Sequence, residues 1–248
     1  MRRIGLNFGM GMGRNTDTVS FFPTDLDNII SYCRFWDTNA LTLTGSDVDA
    51  VTEEAGTIGF TDSESTTLEY DATLFGGKGG IKTTDADDDL RYDAPFTATT
   101  TQFIGFVMKT PTHPGGNNYV FSLGEANFGN SDARLIHTNS GRLAWGRNET
   151  NGFEDVVNTG ADGEFIVMMN FTADDNVDML VIDSAGNETS TTFDPNDSYS
   201  TEQYLWLGDR GANDGEAGVE FAELIHTSDA LTSDEVTSLK DYWKSIFF

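Results

Sequence analysis

The strongest constraint on the fold is periodic. From about residue 29 the chain breaks into short apolar runs, rich in β-branched and aromatic residues, with turn signals between them. Phe103 to Lys109 is long and apolar enough for a buried central strand. Tyr119 to Leu123 follows after a polar loop. Arg134 to His137 and Arg142 to Trp145 flank Asn139-Ser140-Gly141, a hairpin signal. Phe165 to Phe171 and Val177 to Ile182 are further core strands, the second running into the turn Asp183 to Asn187. Tyr204 to Leu207 and Val219 to Ile225 complete the set. In the last, Val219, Phe221 and Leu224 compete with Ile225 for one face, which predicts a β-bulge near Ala222 or Glu223.

One helix closes the chain. Thr232 and Glu235 have capping-box spacing, Leu231 and Val236 are placed as a hydrophobic staple, and Val236, Leu239, Trp243 and Ile246 share one helical face. Lys240 and Lys244 suit its C-terminal half. A chain of 248 residues can bury a sizeable core, and no linker interrupts residues 23–248, so one all-β domain is expected there. Before it, Gly5, Gly9, Gly11 and Gly13 alternate with Ile4, Leu6, Phe8, Met10 and Met12. Residues 1–22 therefore read as an apolar, glycine-rich arm that docks on a partner. Its broken apolar stretch and lack of a small-residue cleavage site argue for a retained segment.

Charge narrows the function. Asp and Glu number 41 against 14 Lys and Arg, a net charge of −27. Such a surface repels phosphate backbones and anionic membranes, so no nucleic-acid partner is expected. No stretch of about 18 apolar residues is present to insert in a bilayer. The charge is spread along the whole chain, as in proteins adapted to high salt, where the Debye length falls to about 3 Å at 1 M. Cys33 is the single cysteine, so no intrachain disulfide can form, and its apolar neighbours predict burial.

The order Leu207-Gly208-Asp209-Arg210, Gly218 to Ile225 with its Ala222-Glu223-Leu224-Ile225 ending, Leu231-Thr-Ser-Asp-Glu235 and Leu239-Lys-Asp-Tyr-Trp243 resembles the C-terminal end of concanavalin A-like, laminin-G-like domains of bacteria and viruses. Phe35-Trp36-Asp37 looks like the opening strand of that family. Gly80-Ile81 through Leu90, and Phe103 to Lys109, are similar to later segments of it. The likeness covers about residues 30–247. It implies a two-sheet jelly-roll sandwich with a short C-terminal helix. It says little about activity, because lectins, glycanases, adhesion modules and virion parts share this fold.

Hydrolysis on this fold needs two carboxylates flanking the scissile bond. The Glu-x-Asp-x-x-Glu and Glu-x-Asp-x-Glu strands of related glucanases are absent, and no catalytic residue is assigned. Glu216, Glu220 and Glu223 are the nearest acidic group, with Glu220 and Glu223 on opposite strand faces unless a bulge intervenes. Glu223 matches the family's structural Ala-Glu-Leu position. His113, His137 and His226 lack metal-ligand spacing and read as structural. No cofactor is expected. Calcium is the candidate ion, at Asp85, Asp87, Asp88 and Asp89. A sugar site would draw on Trp145, Arg147 and Asn148, or on Arg210, Asn213 and Asp214, which supply an aromatic face and polar groups.

The arm, the single jelly roll and the absence of catalytic motifs are similar to structural proteins of tailed viruses, with the acidic composition pointing to a salt-loving host. The expectation is a non-enzymatic virion-surface protein, as head decoration, turret, spike or tail fibre. It would form homo-oligomers, dock on other virion proteins through the arm, and touch host cell-surface glycans. A carbohydrate-binding adhesin, extracellular rather than virion-borne, is the alternative, and a glycan-active hydrolase the second.

Overall fold

The structure, a computed structural model, describes residues 21–62, 68–84, 89–97, 101–110, 118–124, 133–137, 142–147, 153–158, 163–172, 176–193, 202–208 and 218–248. The expected arm, Ile4, Leu6, Phe8, Met10 and Met12 included, lies outside the described residues. A 3-10 turn at Pro23–Asp25 leads into the strands. These are β1 (Ile29–Arg34), β2 (Leu41–Thr44), β3 (Asp47–Val51), β4 (Ala55–Gly56), β5 (Phe60–Thr61), β6 (Glu69–Asp71), β7 (Gly80–Lys82), β8 (Asp89–Tyr92), β9 (Phe96–Thr97) and β10 (Gln102–Thr110). There follow β11 (Asn118–Gly124), β12 (Ala133–His137), β13 (Arg142–Arg147), β14 (Phe153–Asn158), β15 (Gly163–Thr172), β16 (Asn176–Asp183), β17 (Glu188–Phe193), β18 (Glu202–Gly208) and β19 (Glu220–Thr227).

All pairings among these strands are antiparallel, and they form two layers. One runs β17-β16-β15-β10-β19, with β1 and β7 sharing the far edge of β19. The other runs β14-β13-β12-β11-β18-β8-β5-β3-β2. β6 pairs with both β3 and β7 and so joins the layers along one side. The expected sandwich is therefore present. Each long apolar run of the sequence is a strand, and β12 and β13 are paired, while the expected turn Asn139 to Gly141 between them lies outside the described residues.

Between the layers lies one apolar core. Ile104, Phe106 and Met108 of β10, with Val167, Met169 and Phe171 of β15, face Phe121, Leu123, Leu205 and Leu207 of the other layer. Cys33 is buried here, and burial pushes its thiol up to about 12. A buried polar row crosses the same core. His226 Nδ1 meets the Tyr92 hydroxyl at 3.1 Å, and its Nε2 meets Gln102 Oε1 at 3.1 Å. Burial lowers the His226 pKa to about 3, so this imidazole is a neutral core group.

A second core lies on the outer face of the first layer. Phe103, Val107, Ile166, Met168, Ala222 and Ile225 are covered there by the C-terminal helix, Ser233–Phe247. The helix begins as the sequence predicts: Thr232 is the N-cap, with the reciprocal Glu235 contacts of a capping box. Leu231 is buried in this core with Val236 packed beside it, and Leu239 and Trp243 are wholly buried.

The expected bulge falls at Ala222. Val107 of β10 pairs with Glu223, while the next residue, Met108, pairs with Phe221, so Ala222 is the extra residue. Phe221 and Leu224 can then both face the inner core, while Ala222 joins the helix-side core. One expectation shifts. Phe35-Trp36-Asp37, similar in sequence to an opening strand, instead follows the end of β1 at Arg34, where the chain turns. Asp37 accepts the backbone N–H of Asn39 at 3.0 Å, an Asx turn that competes with strand pairing.

Candidate functional site

The bulge places Glu223 on the helix side of the sheet, where it meets two indoles. Trp243 Nε1 donates to Glu223 Oε2 at 2.6 Å, and Trp36 Nε1 donates to Glu223 Oε1 at 2.9 Å. Burial pushes the Glu223 carboxyl up to about 7, against the opposing effects of the two indole N–H groups, Arg34 and Tyr32. Trp243 reaches the carboxylate because the helix lies close on β10 at Gly105. A Cβ at Gly105 would stand 2.7 Å from the Phe103 ring and 2.9 Å from that of Trp243.

Trp36 and Tyr242 are the partly exposed continuation of this cluster. Together with Lys78 and Ile246 they line an open recess of about 380 Å³. Each wall is fixed from behind. Trp36 is tied to Glu223, and the Arg34 guanidinium lies 5.0 Å from its ring centroid. Arg34 is itself paired with Glu54. The Tyr242 hydroxyl meets that of Tyr32 at 3.3 Å, and its ring packs edge-on to Phe21. Lys78 follows a tight helical turn, Leu74–Gly77, in which Phe75 has φ 49° and packs edge-on against Phe247. Aromatic faces with a cationic, donor-rich rim are what a sugar needs for stacking and hydroxyl contacts.

A larger recess of about 770 Å³ opens beside the first half of the helix, lined by Asn170, Asp178, Leu180, Thr192, Ser233 and Val236 among others. Its aromatic residue, Phe103, is wholly buried and offers a sugar no exposed face. The smaller recess is therefore the better candidate.

The sugar and metal residues expected from sequence fall elsewhere. Trp145 is corrected: it is 3% exposed, its ring standing 5.7 to 5.9 Å from those of Phe121, Phe171 and Phe193 in the inner core. Strand alternation turns it inward together with Leu143, so it offers no sugar platform. Arg147 closes β13, and only its backbone is described; Asn148, Arg210, Asn213 and Asp214 lie outside the described residues. So do Asp85, Asp87 and Asp88, while Asp89 opens β8. Asp89 pairs with Gly208, the last residue of β18, so the anchors of the two acidic segments expected to bind ions or sugars sit side by side. Among the described residues no group of three His, Cys, Asp or Glu side chains is placed to hold a metal.

Glu220 and Glu223 were expected on opposite faces unless a bulge intervened; it does, and both point to the helix side. Glu220 is paired with Lys109 at 3.0 Å and Glu223 is closed behind its indoles, so they do not form an open carboxylate pair. His137 is described only as backbone in β12, and His113 lies outside the described residues. Sequence reasoning missed Trp36 and Tyr242 as partners. The available signal was Tyr242 flanking the apolar stripe next to Trp243.

The sequence matches no protein-family model and no curated protein. The fold does have solved neighbours. A Trypanosoma rangeli sialidase aligns with a TM-score of 0.57 at 9% identity, over 86% of this chain and 32% of that one. The botulinum neurotoxin serotype G binding domain aligns at 0.56 and 12% identity, over 88% and 51%. The receptor binding domain of botulinum neurotoxin D aligns at 0.57 and 10%, over 87% and 53%. This chain thus spans about a third of the sialidase and about half of each toxin domain. At such identity the likeness is one of fold, and it agrees with the jelly-roll sandwich expected from sequence.

Proposed function

We propose that this chain is a carbohydrate-binding β-sandwich module whose ligand stacks in the recess between Trp36 and Tyr242. The observation that carries the reading is that two aromatic walls from opposite ends of the chain line one open recess, each held from behind, with Lys78 at the rim. Its volume of about 380 Å³ lies in the usual range for small-ligand sites. The fold neighbours lend support, since two of them are a toxin binding domain and a toxin receptor binding domain.

In this proposal the module binds its ligand without hydrolysing it. Glu220 and Glu223 are engaged with Lys109 and with two indoles, and neither faces the recess as half of an acid–base pair. Display of this module on a virion, through an arm at residues 1–22, is a further proposal. It rests on residues outside those described, and the fold neighbours add nothing to it.

The test is retention on a glycan array by the intact chain and by Trp36→Ala, Tyr242→Ala and, as a control in the larger recess, Thr192→Ala. Loss of about tenfold or more in affinity for the first two alone, roughly 1.4 kcal/mol or more, supports the site. Equal retention by all three variants, or none by the parent protein, rejects it. Release of reducing ends from a retained glycan would replace binding by hydrolysis.

A further inference from the structure

We propose that Glu223 is the positioning residue of the Trp36–Tyr242 recess, and that proton uptake there loosens the Trp36 wall, so that the recess is firm in alkaline solution and less so in acid. The consequence for ligand rests on the carbohydrate-binding reading; the proton switch itself does not.

A carboxylate offers good acceptor sites on both oxygens, whereas protonation turns one oxygen into a hydroxyl, which donates and is a poorer acceptor. Here each oxygen holds one indole: Oε1 that of Trp36 at 2.9 Å, Oε2 that of Trp243 at 2.6 Å. Tyr32 is a further hydrogen-bond partner of this group, and one proton therefore leaves one indole on the poorer, hydroxyl oxygen. Trp243 is wholly buried and would be left poorly paired, which is costly. Trp36 is partly exposed and can turn its N–H to water. The Trp36 bond is the one weakened, and with it the rear support of the recess.

The groups facing Glu223 are Tyr32 and Arg34 from β1, Trp36 from the turn after it, and Tyr242 and Trp243 from the helix. Glu54 and Asp37 stand beyond Arg34 and pair with it. Arg34 favours the ionised carboxyl and burial opposes it, the balance leaving the group near neutrality. Both tyrosines have raised pKa values, so they stay neutral while Glu223 titrates.

The experiment follows the tryptophan indole N–H signals of the intact chain by proton–nitrogen NMR from pH 5 to 9, with Trp36→Phe and Trp243→Phe identifying two of them. The expected result is a concerted downfield shift of both signals as pH rises, with one shared midpoint near 7, abolished in Glu223→Gln. Signals that stay fixed across the range, or that move with separate midpoints, overturn the proposal. Should Glu223→Gln fail to fold, the parent titration decides alone. No ligand is needed: a missing titration sinks this switch and leaves glycan binding standing, whereas absent glycan retention does the reverse.

Discussion

Trp243 and Glu223 are joined by a 2.6 Å hydrogen bond from an indole N–H to a carboxylate, and both side chains are wholly buried. The bond links the last element of the chain to the bulge in a central strand. Twenty residues of sequence separate them, and the bulge at Ala222 is what turns Glu223 toward the helix. The same bulge hands its Ala222 carbonyl to the Phe35 N–H at 2.8 Å, just before Trp36. One irregular residue thus positions the carboxylate, the helix and one wall of the candidate site.

Trp243→Phe tests that link. Phenylalanine fills most of the same space but leaves Glu223 Oε2 without its donor. Removing one partner of a buried, charge-assisted bond costs about 1–3 kcal/mol. A fall of that size in urea-unfolding stability is expected at pH 8, and a smaller one at pH 5, where the carboxyl is protonated. Equal loss at both pH values would mean that packing, not the bond, is what the indole supplies.

Glu223 and His226 pull stability in opposite directions with pH. The folded chain raises Glu223 from 4.5 to about 7, so its contribution is complete below pH 4.5 and is lost as pH climbs through 7. The fold lowers His226 from 6.5 to about 3, so its contribution is present above pH 6.5 and is lost as pH falls toward 3. Between pH 4.5 and 6.5 the two slopes cancel. Glu223→Gln removes one of them. The variant should gain about 3 kcal/mol relative to the parent protein on going from pH 4.5 to 6.5, at about 1.4 kcal/mol per unit. Parallel stability–pH curves for the two proteins, measured in urea, would contradict this.

What the sequence disclosed follows from the range of the interactions concerned. Strand runs, hairpin turns and the Thr232–Glu235 cap are local, and periodicity or spacing reveals them. The bulge was legible because Phe221 and Leu224 make incompatible demands on a regular strand. Alternation puts Trp145 on one face with Leu143, but which face of β13 is the inner one shows only once the layers are stacked. The recess was hidden for a different reason. Trp36 and Tyr242 stand 206 positions apart and meet only after β1 and the helix dock on the same sheet. Glu223 stood out in sequence as the family's structural Ala-Glu-Leu position, but its distinct chemistry comes from burial beneath the helix, beside two indoles that local pattern does not bring together.

Gly105→Ala tests how closely the helix approaches. In an ordinary strand this change gains about 0.5–1 kcal/mol, because glycine loses more backbone freedom on folding. Here the new methyl group would stand 2.7 Å from the Phe103 ring and 2.9 Å from that of Trp243. Overpacking of this kind costs about 1–3 kcal/mol, which reverses the sign. A lower melting temperature is the expected result, and an unchanged or higher one would show that the helix can lift without penalty.

Asn170→Asp separates a specific pairing from general polarity at the start of the helix. The Asn170 amide pairs with both backbone groups of Leu231, accepting its N–H at 2.8 Å and donating to its carbonyl at 2.9 Å. This anchors β15 to the residue just before the Thr232 cap. An aspartate keeps the acceptor but sets an anionic oxygen against the Leu231 carbonyl, with no donor between them. At pH 7 that should cost about 1–3 kcal/mol in urea unfolding. Below about pH 4 the carboxyl regains a proton, can donate to the carbonyl, and should restore most of the loss. Asn170→Ala has no proton to regain, so its deficit relative to the parent protein should stay constant with pH. If the aspartate variant matches the alanine variant at every pH, the anchor acts through shape alone and the paired amide contributes nothing of its own.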